Sequence, residues 1–197
     1  MIRLGIVIGS TRPGRRAPVV ARWVAEAAGR HAAAGSGEAS VGIIDIADHA
    51  LPLLDEPVPA IRGDYRHPHT QAWAAAIDAC DGFVFVTPEY NHSFPAALKN
   101  AVDFLYREWN DKAAGFVGYG ALGAARAVEQ LRPVLAEVKI ATVRTQVLLS
   151  KYTDRALFTD PEAWSPSAEQ EAALATMIGE TVAWSRALRT VRAAAAA

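Results

Sequence analysis

The sequence predicts an α/β protein built on a doubly wound, five-stranded parallel sheet with helices on both faces. Five short apolar runs are spread along the 197 residues, and each is followed by a segment with helical periodicity. Continuous apolar runs are typical of strands that are covered on both faces. Because strands and helices alternate along the whole chain, the sheet is expected to be parallel and to carry helices on both sides.

The strands are expected at residues 3–9, 41–46, 83–87, 114–119 and 143–149, and the helices at residues 17–31, 69–80, 95–105, 124–138 and 166–192. Right-handed crossovers leave few topologies, of which the flavodoxin-like strand order 2-1-3-4-5 is the natural one. The switch point of that order lies between strands 1 and 3. The loops that follow these two strands should therefore meet in one crevice, flanked by the loop after strand 4.

The stretch at 83–105 shows the strand–loop–helix pattern most clearly. An apolar run, FVFVT, is followed by apolar residues at helical spacing, namely Ala96, Leu98, Ala101, Val102 and Leu105. Pro95 suits the first turn of that helix, where a missing N–H costs nothing. The polar loop 88–93 lies between strand and helix, and ligands of open α/β sheets bind at such loops.

One domain is expected over residues 1–192, followed by an alanine tail, 193–197, that frays. Residues 32–37 are predicted to form a turn and residues 151–165 a loop. Residues 47–68 hold four prolines and should be irregular; loops of this length usually serve as lids or subunit contacts. Tyr106 and Trp109 are expected either to be exposed in a monomer, and so to contact a second subunit, or to pack beneath the 151–165 loop.

The composition excludes several classes of protein. The formal net charge of −1 gives no basis for binding nucleic acid or an anionic membrane. A single cysteine, Cys80, excludes a disulfide framework and a cysteine-ligated metal, and its expected role is that of a small buried residue at a helix end. The N-terminal apolar run is too short for a signal peptide, and no segment is long enough to span a bilayer. A cytoplasmic protein is expected.

The loop 9–16 has the features of a phosphate-binding loop. It offers the hydroxyls of Ser10 and Thr11, glycines, arginines and the N-terminus of a helix, which together suit an anion. Arg15-Arg16 stands where a Walker A loop needs Lys-Ser/Thr, and the dinucleotide pattern G-x-G-x-x-G is absent. A single terminal phosphate fits best, and the alternative is a turn with solvated arginines. Asp45 is expected to be a loop or capping residue.

Other polar residues allow two interpretations each. Tyr90 and His92 are candidates for contacts with a planar heterocycle or its side chain, but Tyr90 could equally be a half-buried aromatic and His92 a solvated loop residue. His67 and His69 form an H-x-H pair, but two imidazoles without a third ligand are weak evidence for a metal. No metal site is predicted.

Three motifs carry a resemblance to a known family. The segments GSTRPGR at 9–15, TPEYNHSFPAALKNAVDFL at 87–105 and GYGALGAARAVEQLR at 118–132 resemble the NADPH-dependent FMN reductase family. This flavodoxin-like family includes flavin, quinone, azo-dye and chromate reductases. The resemblance covers about residues 3–150, with the motifs in order and at the expected loops.

The resemblance implies a site for FMN. The residues that would hold the phosphate are Ser10, Thr11, Arg12 and Arg15. Those that would line the isoalloxazine ring and ribityl chain are Pro88, Glu89, Tyr90 and Asn91, and the other edge of the ring would be bordered by Gly118, Tyr119 and Gly120. The chain departs from the family at 16–18, Arg-Ala-Pro, where members often carry Ser or Asn, and at Gly118-Tyr119, where some members place hydroxyl residues.

The function implied is that of an NAD(P)H oxidoreductase that passes hydride from NADPH or NADH to bound FMN, and electrons on to a flavin, quinone, azo compound or metal oxyanion. Hydride transfer needs no acid or base from the protein, so no catalytic side chain is assigned. The alternatives are a flavodoxin-type electron carrier, against which the near-zero net charge argues, and a flavin-binding sensor. The resemblance also suggests a homodimer or homotetramer.

Overall fold

The computed structural model describes residues 1–34 and 39–195. The strands are β1 (Ile2–Ile8), β2 (Ala39–Asp45), β3 (Gly82–Pro88), β4 (Lys112–Gly120) and β5 (Ile140–Ser150). The α-helices are α1 (Ala17–Ala34), α2 (Pro68–Asp78), α3 (Ala96–Asp103), α4 (Ala125–Glu137), α5 (Arg155–Thr159) and α6 (Ala168–Ala195). Short 3₁₀ turns lie at Ile46–His49, Ala60–Arg62, Arg107–Trp109 and Pro161–Ala163.

The strands form one parallel sheet in the order β2-β1-β3-β4-β5, which confirms the predicted flavodoxin-like topology. β1 pairs with both β2 and β3, so it lies at the point where the chain changes direction across the sheet. The carboxyl ends of β1, β3 and β4 are therefore neighbours at one edge, and the loops that follow them emerge side by side.

Successive residues of each strand point to opposite faces of the sheet and so belong to two hydrophobic cores, one on each face. Ile6 of β1 and Val84 of β3 pack with α1 and α6, whereas Val7 and Phe85 pack with α2, α3 and α4. All residues of β3 are buried, because helices cover both sides of it. The continuous apolar run of this strand is thus explained by its central position.

Several boundaries differ from the predictions. The predicted loop 151–165 contains α5, and α6 begins at Ala168 and continues to Ala195, beyond the predicted end. The predicted turn at 32–37 is helical as far as Ala34, and the rest of it, like residues 196–197, lies outside the described residues. No helix of the described chain is both long enough and apolar enough to cross a bilayer.

The expectation of an exposed aromatic surface at Trp109 is wrong. Trp109 is fully buried, with its ring 5.0 Å from that of Phe83 and 6.0 Å from that of Trp73 in α2. The Nε1–H of Trp109 donates to the carbonyl oxygen of Val102 at 3.2 Å. The helix ends at Asp103, and the 3₁₀ turn that follows directs the indole back to the sheet rather than outward or beneath the 151–165 loop.

The proline-rich stretch is attached to the body of the protein by side chains. Asn100 of α3 donates to the carbonyl oxygen of Pro52 at 2.6 Å and accepts from the N–H of Leu54 at 2.9 Å. The rings of His67 and His69 stack 5.2 Å apart, and Nε2 of His69 lies 3.0 Å from a carboxylate oxygen of Asp55. His69 at the start of α2 is thus tethered to Asp55 of the proline-rich stretch. In the described part of the chain no group of three or more potential metal ligands is found.

Candidate functional site

A cavity of about 320 Å³ lies at the carboxyl ends of β1, β3 and β4. Its lining comes from the three loops that the sequence singled out and from α5, and consists of Arg12, Pro13, Gly14, Arg15, Arg16, Pro88, Glu89, Tyr90, Tyr119, Gly120 and Phe158. The parallel topology thus brings together segments that are far apart in the sequence, as the switch-point argument requires.

The loop after β1, part of which lines this cavity, contains N–H groups from which no backbone oxygen of the described residues accepts. In the part of the chain that the structure describes, the N–H groups of Thr11, Gly14 and Arg16 have no backbone acceptor. The loop leads directly into the N-terminus of α1 at Ala17. Free N–H groups at the positive end of a helix dipole form a site for an anion.

Two arginines of the loop are held by protein partners. Arg15 forms an ion pair with Asp45, and the other carboxylate oxygen of Asp45 accepts from the N–H of Ala47 at 3.0 Å. The interpretation of Asp45 as a capping residue is thereby confirmed. The Nε of Arg15 is buried and has no partner among the residues that the structure describes, so this side chain retains a donor for a ligand. Arg16 donates to the carbonyl oxygen of Phe158 at 2.9 Å and so connects the loop to α5.

The loop after β3 is a tight turn closed by a backbone bridge between Tyr90 and Ser93, with N···O distances of 2.8 and 3.2 Å. Asn91 and His92, at the tip of the turn, have positive φ angles of 48° and 78° and are exposed. Tyr90 is half-buried and its hydroxyl lies 2.8 Å from the Oγ of the buried Ser10, which also accepts from the N–H of Arg12 at 3.3 Å. Ser10 therefore supports the cavity wall from beneath.

Glu89 has a partner that the sequence analysis did not identify. Its side chain is only 5% exposed and forms an ion pair with Arg126, in the first turn of α4. The second carboxylate oxygen of Glu89 is buried and has no hydrogen-bond partner in the described part of the chain. Arg126 lies within the third motif, but nothing in the spacing of the two residues indicates that they meet.

The loop after β4 is shaped by glycines. Gly120 has a φ of 155° and Gly123 a φ of 61°, conformations that L side chains rarely adopt. A Cβ on Gly118 would lie 2.4 Å from the carbonyl oxygen of Gly123, so the absence of a side chain there lets the loop fold back against its own strand. Gly118 consequently packs behind the cavity wall rather than lining it.

Tyr119 is buried, with 5% exposure, and its hydroxyl oxygen makes no hydrogen bond of good geometry to any described residue. Burial is the main cause that raises the pKa of this hydroxyl, and Tyr90, Ser10, Arg15 and the N–H of Ala17 lie close enough to affect it. The hydroxyl is therefore neutral at physiological pH and lies among groups of the loop after β1.

The implied site residues thus divide into two sets. Those that line the cavity are Arg12, Arg15, Pro88, Glu89, Tyr90, Tyr119 and Gly120; those that do not are Ser10, Thr11, Asn91 and Gly118. Thr11 lines a separate cavity of about 390 Å³, next to Ile46 and Asn100. Phe158 was missed, since α5 lies in a segment where only a loop was expected.

Comparison with known proteins identifies the family. The model of the NADPH-dependent FMN reductase family matches residues 2–154, and the chain belongs to this family. It is 38% identical over 154 residues to an NAD(P)H-dependent FMN reductase of Schizosaccharomyces pombe, which covers 76% of this chain and 74% of the relative. It is 37% identical over 136 residues to a quinone reductase of Escherichia coli K12, which covers 66% of each chain.

Solved structures agree with the fold. FerB, a flavoenzyme NAD(P)H:(acceptor) oxidoreductase from Paracoccus denitrificans, matches with a TM-score of 0.60 and 20% identity over 92% of this chain and 99% of that one. Oxidised flavodoxin 1 from Bacillus cereus matches with a TM-score of 0.53 and 16% identity over 91% and 97%. The predictions of an oxidoreductase, and of FMN and a nicotinamide as its cofactors, are confirmed at the level of the family.

The donors at the cavity fit a flavin mononucleotide. A phosphate needs N–H groups and guanidinium groups, and the loop after β1 offers both, including the unpartnered Nε of Arg15. The unpartnered oxygen of Glu89 can accept from a hydroxyl or ring N–H, and the missing side chain of Gly120 leaves room beside it.

Proposed function

We propose that this chain is an FMN-dependent NAD(P)H oxidoreductase that reduces quinones, with FMN held in the cavity described above. The observation that carries the proposal is the meeting of an arginine-rich loop at the N-terminus of α1 with the loops after β3 and β4 in one cavity. The support for a quinone acceptor is the likeness to relatives that bear the name quinone reductase.

Different loops of this chain would bind different parts of FMN. Arg12 and Arg15, with the N–H groups of Gly14 and Arg16, would bind the phosphate, and Thr11, which lines the separate cavity, would not contact it. The wall formed by Pro88, Glu89, Tyr90 and Gly120 would orient the ring and the ribityl chain, with Ser10 holding Tyr90 in place. Asn91 and Gly118 would keep their loops in shape.

The chemistry that bound FMN supplies is two-electron transfer, with hydride received from the nicotinamide and electrons passed to the acceptor. N–H groups oriented toward the ring would stabilise negative charge there. No side chain is assigned the role of a catalytic acid or base.

The test is anaerobic mixing of the FMN-loaded protein with NADPH and with NADH, followed by addition of a benzoquinone, an azo dye, chromate or free FMN in separate experiments. Rapid bleaching of the flavin absorbance, with fastest reoxidation by the quinone, is expected. Normal photoreduction without bleaching by either nicotinamide would contradict the proposal and favour an electron carrier or a flavin-binding sensor. Faster reoxidation by another acceptor would overturn the assignment of the quinone.

A variant series tests the place of the cofactor. Arg15→Ala should weaken FMN binding, whereas Arg66→Ala, in an exposed arginine of the proline-rich stretch, should not. Equal affinities in the two variants would contradict the location of the site. A cytoplasmic location and a homodimer or homotetramer stay predictions, the latter to be checked by light scattering.

A further inference from the structure

The Tyr119 hydroxyl is a buried donor that the fold leaves unused. The ring of Tyr119 belongs to the core on the α1 and α6 side of the sheet, and its residue is 5% exposed. The hydroxyl makes no hydrogen bond of good geometry to the described residues, although the N–H of Ala17 and the side chain of Ser10 lie near it. A buried hydroxyl without a hydrogen bond is destabilising, so such a group in a residue that lines a cavity indicates a ligand.

The surroundings of this hydroxyl identify the kind of ligand. The groups that act on it are the N–H of Ala17 at the start of α1, the guanidinium of Arg15 and the hydroxyls of Ser10 and Tyr90. Because Arg15 is cationic and the N-terminus of α1 carries a positive dipole end, these neighbours favour an anion. A neutral phenol donates to an anion without adding negative charge of its own.

We infer that the Tyr119 hydroxyl donates a hydrogen bond to a phosphate monoester bound at the N-terminus of α1, which makes Tyr119 part of the phosphate site. This inference rests on the proposed function, since the phosphate would be that of FMN. The family resemblance places Tyr119 beside the ring, whereas the groups near its hydroxyl in the structure are, apart from Tyr90, in the loop after β1 and at the start of α1.

The test compares FMN with riboflavin, which has the same ring and ribityl chain but no phosphate. A hydrogen bond to a charged group contributes about 1.5–3 kcal/mol, so Tyr119→Phe should weaken FMN binding by about 10- to 150-fold. Riboflavin binding should change by less than about threefold. Fluorescence titration of the ligand-free protein measures both affinities, and Tyr152→Phe, in a tyrosine that is 73% exposed, is the matched control.

Stability provides a second readout. Without ligand, Tyr119→Phe should melt at the same temperature as the wild type or higher, because the substitution removes an unsatisfied hydroxyl. Inorganic phosphate should raise the melting temperature of the wild type more than that of the variant. A lower melting temperature of the ligand-free variant, with unchanged FMN affinity, would show that the hydroxyl has only a structural role.

The outcomes separate the two proposals. Wild-type protein that binds no FMN would overturn the proposed function and this inference with it. Wild-type protein that binds FMN, with equal affinity in Tyr119→Phe, would overturn the inference alone. Equal losses for FMN and riboflavin would assign the hydroxyl to the ribityl chain or ring and would also overturn the phosphate assignment.

Discussion

Lys112 provides a pH-dependent test of the packing of the sheet. It is the first residue of β4 and is only 3% exposed. Its ammonium group donates to the carbonyl oxygens of Ile77 at 2.9 Å and Asp78 at 3.3 Å, at the C-terminus of α2. Burial lowers the pKa of Lys112 from the ordinary value of 10.5 to about 8.

The direction and size of the change in stability with pH follow from this pKa. Because the folded pKa lies below the unfolded one, the unfolded chain binds more protons between the two values, and stability rises as the pH rises from about 8 toward 10.5. Between about pH 7 and about pH 9.5, the single group changes the free energy of unfolding by about 2 kcal/mol.

The assay is urea unfolding of the wild type and Lys112→Met at both pH values. Burial raises the pKa of Cys80 and the charge of Lys112 lowers it, so Cys80→Ser is introduced into both proteins, and the remaining titrating groups contribute to both. Their contributions should largely cancel when the free energy of unfolding of Lys112→Met is subtracted from that of the wild type. This difference should be about 2 kcal/mol more favourable to the wild type at the higher pH. Lys151→Met, in an exposed lysine, is the control. A difference that stays flat or falls with pH would refute the reasoning.

Two further predictions concern the cavity walls. Gly118→Ala places a Cβ against the carbonyl oxygen of Gly123, which should destabilise the protein by about 1–3 kcal/mol and weaken FMN binding. Thermal unfolding measures the first effect and FMN titration the second. The control is Gly42→Ala, because a Cβ at Gly42 would meet no described atom within 4 Å. Arg126→Ala leaves the buried carboxylate of Glu89 without a counter-charge and should cost about 2 kcal/mol in urea unfolding. Adding Glu89→Gln should restore most of that loss, and the absence of any restoration would show that the pair does not act as a unit.

The sequence by itself determined the order of the elements and the edge of the sheet at which the candidate site lies. Continuous apolar runs such as that of β3 require helices on both faces, and right-handed crossovers then leave the observed topology. The glycine- and arginine-rich loop before α1 could be recognised because its chemistry is contained within a few consecutive residues.

Contacts between distant segments were decided only by the tertiary structure. Arg16 and Phe158 are 142 residues apart, and Glu89 and Arg126 are 37 apart. Local periodicity states which residues are apolar or charged, but the direction of a side chain beyond the end of a helix depends on the elements that pack around it. For this reason Trp109, which was expected either at the surface or beneath the 151–165 loop, lies in the core against the sheet, and the Tyr119 hydroxyl lies between Tyr90 and the loop after β1.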